Sequence, residues 1–304
     1  MKPHLCNLCP RLCNADRDTP EGLKRSLCKS AWAPKVALVS LHAWEEPCIS
    51  GENGAGTVFF SHCNLRCCFC QNHAISDQGK GISVSINRLS DIFLEQEKRG
   101  ASCLELVTPS HYAESVIPAL QFAKERGLSI PVVYNTNAYD LPETLKRFSG
   151  LVDVFMPDLK YFNSRLATRY SGVPNYFEIA SKAIQTMFDI TGSVQFDSKG
   201  LLRRGVLVRH LVLPQFWSDS CRCLDWLQST FGHDILVSVM NQYMPLYKAS
   251  RHHEINRSLT TLEYERVLQH AESIGMTNVY IQTGKTNSDI FIPIFDGSHV
   301  LPAC

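Results

Sequence analysis

The chain has 304 residues, 44% of them hydrophobic, so it can bury one large α/β core or two ordinary ones. A formal net charge of +1, with both signs scattered along the chain, gives no electrostatic footprint for nucleic acid or an anionic membrane. The N-terminus lacks the apolar run of a signal peptide, and no later stretch is long enough for a membrane span. We therefore expect a cytoplasmic protein with a peptide or small-molecule substrate.

The first predicted unit, residues 1–34, is rich in cysteine and shows neither helical nor strand periodicity. An odd total of thirteen cysteines without a secretion signal points to metal or redox chemistry in a reducing compartment. Four soft ligands in a segment without its own core predict a metal site, on Cys6, Cys9, Cys13 and Cys28. Zinc would make the unit a structural clip, whereas a second iron–sulfur cluster could relay electrons; both fit this spacing.

Six β-branched or apolar runs follow, each with a helix-like segment after it: 56–60, 103–108, 131–136, 151–157, 205–213 and 234–240. Gly100 and Gly127 sit where helices would end, while Thr260 and Glu263 form a capping-box pattern before a helix that Gly275 follows. This alternation predicts parallel strands joined by right-handed crossovers.

The predicted fold class is α/β. Continuously apolar strands indicate burial on both faces, and six units are too few for a closed eight-stranded barrel but enough for an open one. We expect residues 35–285 to form this partial barrel and residues 286–304 to pack on it as a C-terminal tail. Residues 193–204 are predicted to be an insertion before the fifth strand.

The central motif directly follows the first barrel strand. Cys63, Cys67 and Cys70 make a C-x-x-x-C-x-x-C pattern. Three thiolates at this spacing can ligate three irons of a [4Fe-4S] cubane and leave the fourth without a protein ligand. A zinc site missing its fourth ligand is the competing interpretation, but zinc usually takes four protein ligands in paired C-x-x-C spacing.

With its surrounding phrases, the chain resembles the radical S-adenosylmethionine (SAM) superfamily, and within it the pyruvate formate-lyase activating enzyme-related (PflX-like) iron–sulfur proteins. The phrases include CNLCPRLCNADR, LHAWEEPCISGENGAGTVFFSHCNLRCCFCQN, VVYNTNAYD, VDVFMPDLKYF and VRHLVLP. The resemblance implies a partial (β/α)6 TIM-like barrel with a Cys-rich N-terminal extension. It also implies a [4Fe-4S] cluster and SAM as cofactors, and a reductant such as flavodoxin or ferredoxin as partner.

The implied reaction is reductive cleavage of SAM to a 5′-deoxyadenosyl radical that abstracts hydrogen from a substrate carbon. A phrase similar to MPDLK supplies an aspartate and a lysine at the SAM site of activating enzymes, which carries those roles to Asp158 and Lys160. A comparable strand-five arginine implies that Arg209 contacts the SAM carboxylate or ribose, because a guanidinium matches oxygen pairs. Phe69 is expected to pack near the adenine.

Polar residues also end the second and third predicted strands, where parallel strands share one mouth. Val107-Thr108-Pro109-Ser110 replaces the family's Gly-Gly-Glu-Pro, so Thr108 or Ser110 is expected to accept from the SAM ammonium. The third strand ends in Asn135-Thr136-Asn137-Ala138, where activases have Asp-Thr-Asn-Gly at a cation site. We expect Asn135, Thr136 and Asn137 to bind the cofactor, but loss of the carboxylate makes a strict activase assignment doubtful.

Three functions are consistent with these patterns. The first is an activating enzyme whose substrate is the backbone of a glycyl-radical enzyme, and the second is a radical SAM enzyme for another peptide or small molecule. The third, a non-catalytic iron–sulfur or zinc protein, predicts four ligands per metal, so the three-cysteine motif argues against it.

Overall fold

The computed structural model describes residues 5–283 and 292–302, so residues 286–291, 303 and 304 of the predicted tail lie outside the described residues. The strands are β1 (Lys35–His42), β2 (Ala55–Phe60), β3 (Ile82–Ser83), β4 (Leu104–Val107), β5 (Val132–Thr136), β6 (Val154–Pro157), β7 (Gln195–Phe196), β8 (Leu202–Leu211), β9 (Leu236–Met240) and β10 (Val279–Ile281). All six predicted strands are present, as β2, β4, β5, β6, β8 and β9.

One sheet contains these strands, in the order β10-β9-β8-β6-β5-β4-β2-β1-β3, with β7 paired to β8 outside that path. Pairing is parallel from β10 to β2 and antiparallel between β2 and β1 and between β1 and β3. The mixed α/β fold with a parallel sheet is confirmed, as a partial TIM-like barrel. The structure adds a seventh parallel strand, β10, and an antiparallel strand, β1, which lies between β2 and the two-residue strand β3, to the six predicted units.

Ten helices connect or flank the strands in the part of the chain that the structure describes. They are α1 (Pro20–Arg25), α2 (Pro47–Ser50), α3 (His73–Ser76), α4 (Ile86–Lys98), α5 (Ala113–Glu125), α6 (Pro142–Lys146), α7 (Ser164–Ser171), α8 (Tyr176–Thr191), α9 (Trp217–Phe231) and α10 (Thr261–Ser273). The predicted capping box at Thr260 and Glu263 is present at the start of α10. The predicted insertion forms the β7–β8 hairpin, whose turn spans residues 197–200.

Apolar side chains fill the barrel interior at the amino ends of the strands. Cys48 and Ile49 of α2 pack against Val133, Val154 and Leu207 of the strands. A plug at the amino ends of the strands leaves the carboxyl ends as the open mouth, where an α/β barrel places its site.

The N-terminal unit is more ordered than its sequence indicates. It contains α1, which follows the cap residue Thr19, and Leu5 pairs with Asp16 in an antiparallel bridge. A side chain at Gly22 would overlap the carbonyl oxygen of Asp16, so glycine is required there. At six residues, α1 is too short for periodicity to reveal, which is why the sequence showed no helical pattern here.

Within the described residues, none of the helices has the length and apolar character needed to cross a membrane.

Candidate functional site

A cavity of about 480 Å³ lies at the carboxyl ends of the parallel strands. This volume is in the range of small-molecule and cofactor sites. The cavity brings together most of the residues that the sequence singled out: Cys63, Cys67, Phe69, Cys70, Thr108, Asn135, Thr136, Asn137, Asp158, Lys160 and Arg209. They come from the ends of β2, β4, β5, β6 and β8, as expected for parallel strands.

The loop after β2 carries the three cysteines. His62 and Arg66, beside Cys63 and Cys67, adopt left-handed backbone conformations at φ 71° and 62°. Non-glycine residues rarely adopt this conformation, and such strain persists only where the surrounding structure holds it, often at functional sites.

Each of the three sulfurs accepts a hydrogen bond from a different side chain. Asn137 Nδ2 donates to Cys63 Sγ at 3.3 Å, Ser171 Oγ to Cys67 Sγ at 3.1 Å, and Ser76 Oγ to Cys70 Sγ at 3.3 Å. Such donors stabilise negative charge on sulfur, as the groups around an iron–sulfur cluster do.

The chemistry of this donor set fits a [4Fe-4S] cluster. Burial raises the pKa of the Cys70 thiol to about 12, and burial likewise raises that of Cys63. A buried thiol of this kind needs a metal to become a stable thiolate. The positive charge of Lys160 lowers the pKa of both thiols, so this cation is near enough to the sulfurs to stabilise their thiolate forms.

Asp158, Lys160 and Arg209 form one buried ion network. Lys160 Nζ lies 2.8 Å from Asp158 Oδ2, and Arg209 Nε lies 3.0 Å from Asp158 Oδ1. Burial favours the neutral acid, but the two cations outweigh it and hold the pKa of Asp158 below its ordinary value. Asp158 is therefore a carboxylate at neutral pH.

Arg209 links this network to two other residues that line the cavity, Glu45 and Asn135. Its Nη1 donates to Glu45 Oε1 and its Nη2 to Asn135 Oδ1, both at 2.8 Å. Together with Nε on Asp158, three of the five guanidinium N–H groups are engaged, and two remain for a ligand. Arg209 can thus donate to a ligand in the cavity without leaving its protein partners.

Glu105 is fully buried and lies behind Asn135, which lines the cavity. Asn135 Nδ2 donates to its Oε1 at 2.6 Å. Burial, reinforced by the nearby charge of Glu45, raises the pKa of Glu105 well above its ordinary value, which favours the protonated form of its side chain.

The two predicted acceptors for the SAM ammonium are in different surroundings. Thr108 lines the cavity, in a left-handed conformation at φ 60°. Ser110 is fully buried behind the wall, where it lies 3.3 Å from Thr136 Oγ1 and accepts from Tyr134 at 3.1 Å. Of the two, only Thr108 faces the cavity.

Phe69 lies against the wall formed by three tyrosines: Tyr161, Tyr170 and Tyr243. Its ring is rigidly held and 6% of the residue is exposed. Contact with adenine remains a prediction for this ring.

The sequence reasoning gave no role to several cavity residues: His42, Trp44, Glu45 and Gln282. Glu45 could have been found from its place in the Trp-Glu-Glu-Pro phrase, but its partner Arg209 is 164 residues away. Two buried histidines outside the cavity contact backbone carbonyl groups: His111 Nε2 lies 2.8 Å from the Ser61 oxygen, and His210 Nδ1 lies 2.6 Å from that of Leu159.

The four N-terminal cysteines lie together on the outside of the barrel, next to the cysteine loop. Three of them are buried and Cys13 is half-buried. Arg11 donates from Nε to the Asn64 carbonyl at 2.9 Å and from Nη2 to that of Leu65 at 3.2 Å. The N-terminal unit is thus joined directly to the loop that carries Cys63 and Cys67.

Comparison with known proteins gives one family and several shared folds. Residues 57–196 match the model of the radical SAM superfamily. An uncharacterised protein of Methanocaldococcus jannaschii is 28% identical over 291 residues, which cover 90% of this chain and 76% of that protein.

The structure of Streptococcus suis SuiB bound to S-adenosylmethionine has a TM-score of 0.51 at 15% identity and covers 73% of this chain. This chain spans about half of SuiB, 48% of its length. A radical SAM methyltransferase from Sphaerobacter thermophilus has a TM-score of 0.51 at 12% identity, covering 75% of this chain and 66% of that one. At these identities the similarity establishes a shared barrel fold.

Proposed function

We infer from the family model, the shared fold and the cysteine loop that the chain is an enzyme of the radical SAM superfamily. We propose that it binds a [4Fe-4S] cluster on Cys63, Cys67 and Cys70 and cleaves SAM reductively. When bound, the cluster supplies the electron that breaks the sulfonium C–S bond and gives a 5′-deoxyadenosyl radical, which abstracts hydrogen from a substrate carbon. The observation that carries this proposal is the convergence of three cysteine thiols and one buried ion network on a single cavity.

The side chains around the cavity have distinct tasks in this proposal. Asn137, Ser76 and Ser171 hold the ligand sulfurs in place and stabilise their charge. Lys160 and the two free N–H groups of Arg209 orient the carboxylate and ribose oxygens of SAM. Thr108 accepts from its ammonium.

Product analysis tests this function. Anaerobically reconstituted, dithionite-reduced protein is expected to convert SAM to methionine and 5′-deoxyadenosine. Replacement of all three cysteines by alanine should abolish both the cluster absorbance and the products, whereas Cys221→Ala, a buried cysteine of α9, should leave both unchanged. Wild-type protein that carries iron but forms no 5′-deoxyadenosine would favour a non-catalytic carrier.

Two substrate classes follow from the family. The activating-enzyme version takes the backbone of a glycyl-radical enzyme. Against it stands Asn135, which occupies the position of the activase carboxylate. Its oxygen already accepts from Arg209, and a guanidinium at that oxygen repels a metal cation.

We therefore favour a different peptide or a small molecule as substrate. Transfer of deuterium from a labelled peptide or metabolite into 5′-deoxyadenosine would support this version. A glycyl-radical EPR signal in an added glycyl-radical enzyme would support the activase instead.

A further inference from the structure

The four cysteines of the N-terminal unit lie near one another. Cys6, Cys9 and Cys28 are 5%, 8% and 8% exposed. The thiols of Cys6, Cys13 and Cys28 all lie near enough to Cys9 to act on it electrostatically. Four thiols gathered in one buried place make a metal-ligand set of soft character.

The backbone around these cysteines is held in strained turns. Leu12 and Asn14, which flank Cys13, have φ values of 41° and 48°, and Lys29, which follows Cys28, has 57°. Left-handed conformations at three non-glycine residues each carry an energetic cost, which persists where a surrounding structure imposes the geometry. A bound metal centre would impose it on all three turns at once.

A buried cation beside the thiols gives a second and independent indication. Arg17 is 1% exposed, and its Nη1 lies 3.7 Å from Cys6 Sγ. Its other donors meet carbonyl oxygens, those of Ser30 and His111 at 2.7 Å each, and its guanidinium lies over the Trp32 ring at 4.4 Å. No carboxylate pairs with Arg17 in the part of the chain that is described.

A buried guanidinium without a counter-charge is costly. Four thiolates around a metal centre carry a net negative charge, which would provide the missing partner. Arg17 therefore fits an anionic metal–thiolate centre and does not fit four neutral thiols.

Both kinds of centre fit the spacing, but the grouping of the cysteines favours a cluster. Three clustered cysteines followed by a remote fourth are typical of ferredoxin-type clusters, whereas structural zinc sites usually use two separated C-x-x-C pairs.

The location indicates what such a cluster would do. Arg11, between Cys9 and Cys13, donates to the carbonyls of Asn64 and Leu65 in the loop after β2 that carries the three proposed cluster ligands. A single side chain thus spans the gap between the two sets of cysteines, which is a short path for an electron.

We propose that Cys6, Cys9, Cys13 and Cys28 ligate a second iron–sulfur cluster that passes single electrons to the catalytic cluster. This inference rests on the proposed function, because a relay needs an acceptor. A low-potential one-electron donor of the flavodoxin or ferredoxin class is oxidised, the second cluster is reduced and reoxidised, and the catalytic cluster gains the one electron that each SAM cleavage consumes.

The experiment uses the full chain, purified and reconstituted anaerobically, with Cys28→Ala as the variant and Cys221→Ala as the matched buried-cysteine control. Cys28→Ala is expected to lose about two to four irons per chain, depending on cluster type, and the control none. With reduced flavodoxin as donor, the rate of 5′-deoxyadenosine formation should fall at least about tenfold in Cys28→Ala. Dithionite is a small reductant that reaches the catalytic cluster directly. With dithionite, the rate in Cys28→Ala should therefore be near that of the wild type. Cys13→Ala, at the half-buried position, repeats the test if Cys28→Ala does not fold.

Three outcomes would overturn the relay. Loss of zinc instead of iron would make the unit a structural clip, and unchanged metal content would remove the site altogether. An equal fall with flavodoxin and with dithionite would mean that the cluster only supports the loop. Wild-type protein inactive with dithionite would instead refute the proposed function, so the two failures are distinguishable.

Discussion

Two serines are expected to set the reduction potential of the catalytic cluster. Ser171 donates to Cys67 Sγ at 3.1 Å and Ser76 to Cys70 Sγ at 3.3 Å. Reduction adds negative charge to the sulfurs, so a hydrogen-bond donor stabilises the reduced cluster more than the oxidised one. Replacing both serines by alanine should therefore lower the potential.

The magnitude follows from the strength of these bonds. A hydrogen bond to a charged acceptor contributes about 1.5–3 kcal/mol. Because the added electron is shared among several sulfurs, we take a difference of about 1 kcal/mol per bond between the two redox states, which is about 40 mV for one electron. The bonds end on different sulfurs, so the double variant should lie about 80 mV below the wild type.

An EPR-monitored redox titration of the reconstituted protein measures this shift. Ser90→Ala is the control, because Ser90 is fully buried in α4 and its hydroxyl has no hydrogen-bond partner among the residues that the structure describes. Tyr161→Phe removes the other partner of Ser171, at 2.9 Å, without touching a sulfur. Both controls should keep the wild-type potential, and a double variant at or above that potential would refute the reasoning.

Arg209→Met should cost about 3–5 kcal/mol at neutral pH, because it removes the cation that pairs with the buried Glu45 and one of the two cations beside the buried Asp158, whose partner Lys160 stays. Arg209 holds the pKa of Asp158 low despite burial, so in the wild type this carboxylate stabilises the fold above about pH 4 and the benefit is lost as pH falls through the lowered pKa. In the variant the pKa of Asp158 rises, and protonation removes part of the cost of burying its charge. Urea unfolding should therefore show a smaller loss of unfolding free energy, relative to the wild type, at about pH 5.5 than at about pH 8. Equal losses at the two pH values would contradict the charge argument. Thr260→Ala removes the cap that accepts from Glu263 N and should lower the unfolding free energy by about 1 kcal/mol, whereas Thr260→Ser should retain most of it; equal losses in both would show that the hydroxyl contributes nothing.

Local patterns predicted the parts of the fold that local physics determines. Runs such as 151–157 form buried strands because apolar side chains cover both faces, and the start of α10 follows from the reach of Thr260 and Glu263. Strand alternation also predicts that His210 faces away from Arg209, as it does. The antiparallel strand β1 was missed because a strand that precedes the first crossover does not follow the strand–helix alternation that revealed the others.

The site was predictable where motifs carry its chemistry and not where distant segments meet. Cys63, Cys67 and Cys70 come from one loop, but their hydrogen-bond donors come from three separate elements: Ser76 of α3, Asn137 after β5 and Ser171 of α7. Periodicity and spacing contain no information on such contacts. They depend on tertiary packing.

The central claim is that the cluster has one iron without a protein ligand, at which SAM binds. Mössbauer spectroscopy of the anaerobic, iron-57-labelled protein tests it most directly, with the Cys28→Ala variant used to remove any second cluster. The account predicts that one iron of the catalytic cluster changes its isomer shift when SAM is added while the other three do not. Four irons that remain indistinguishable and unaffected by SAM would contradict it.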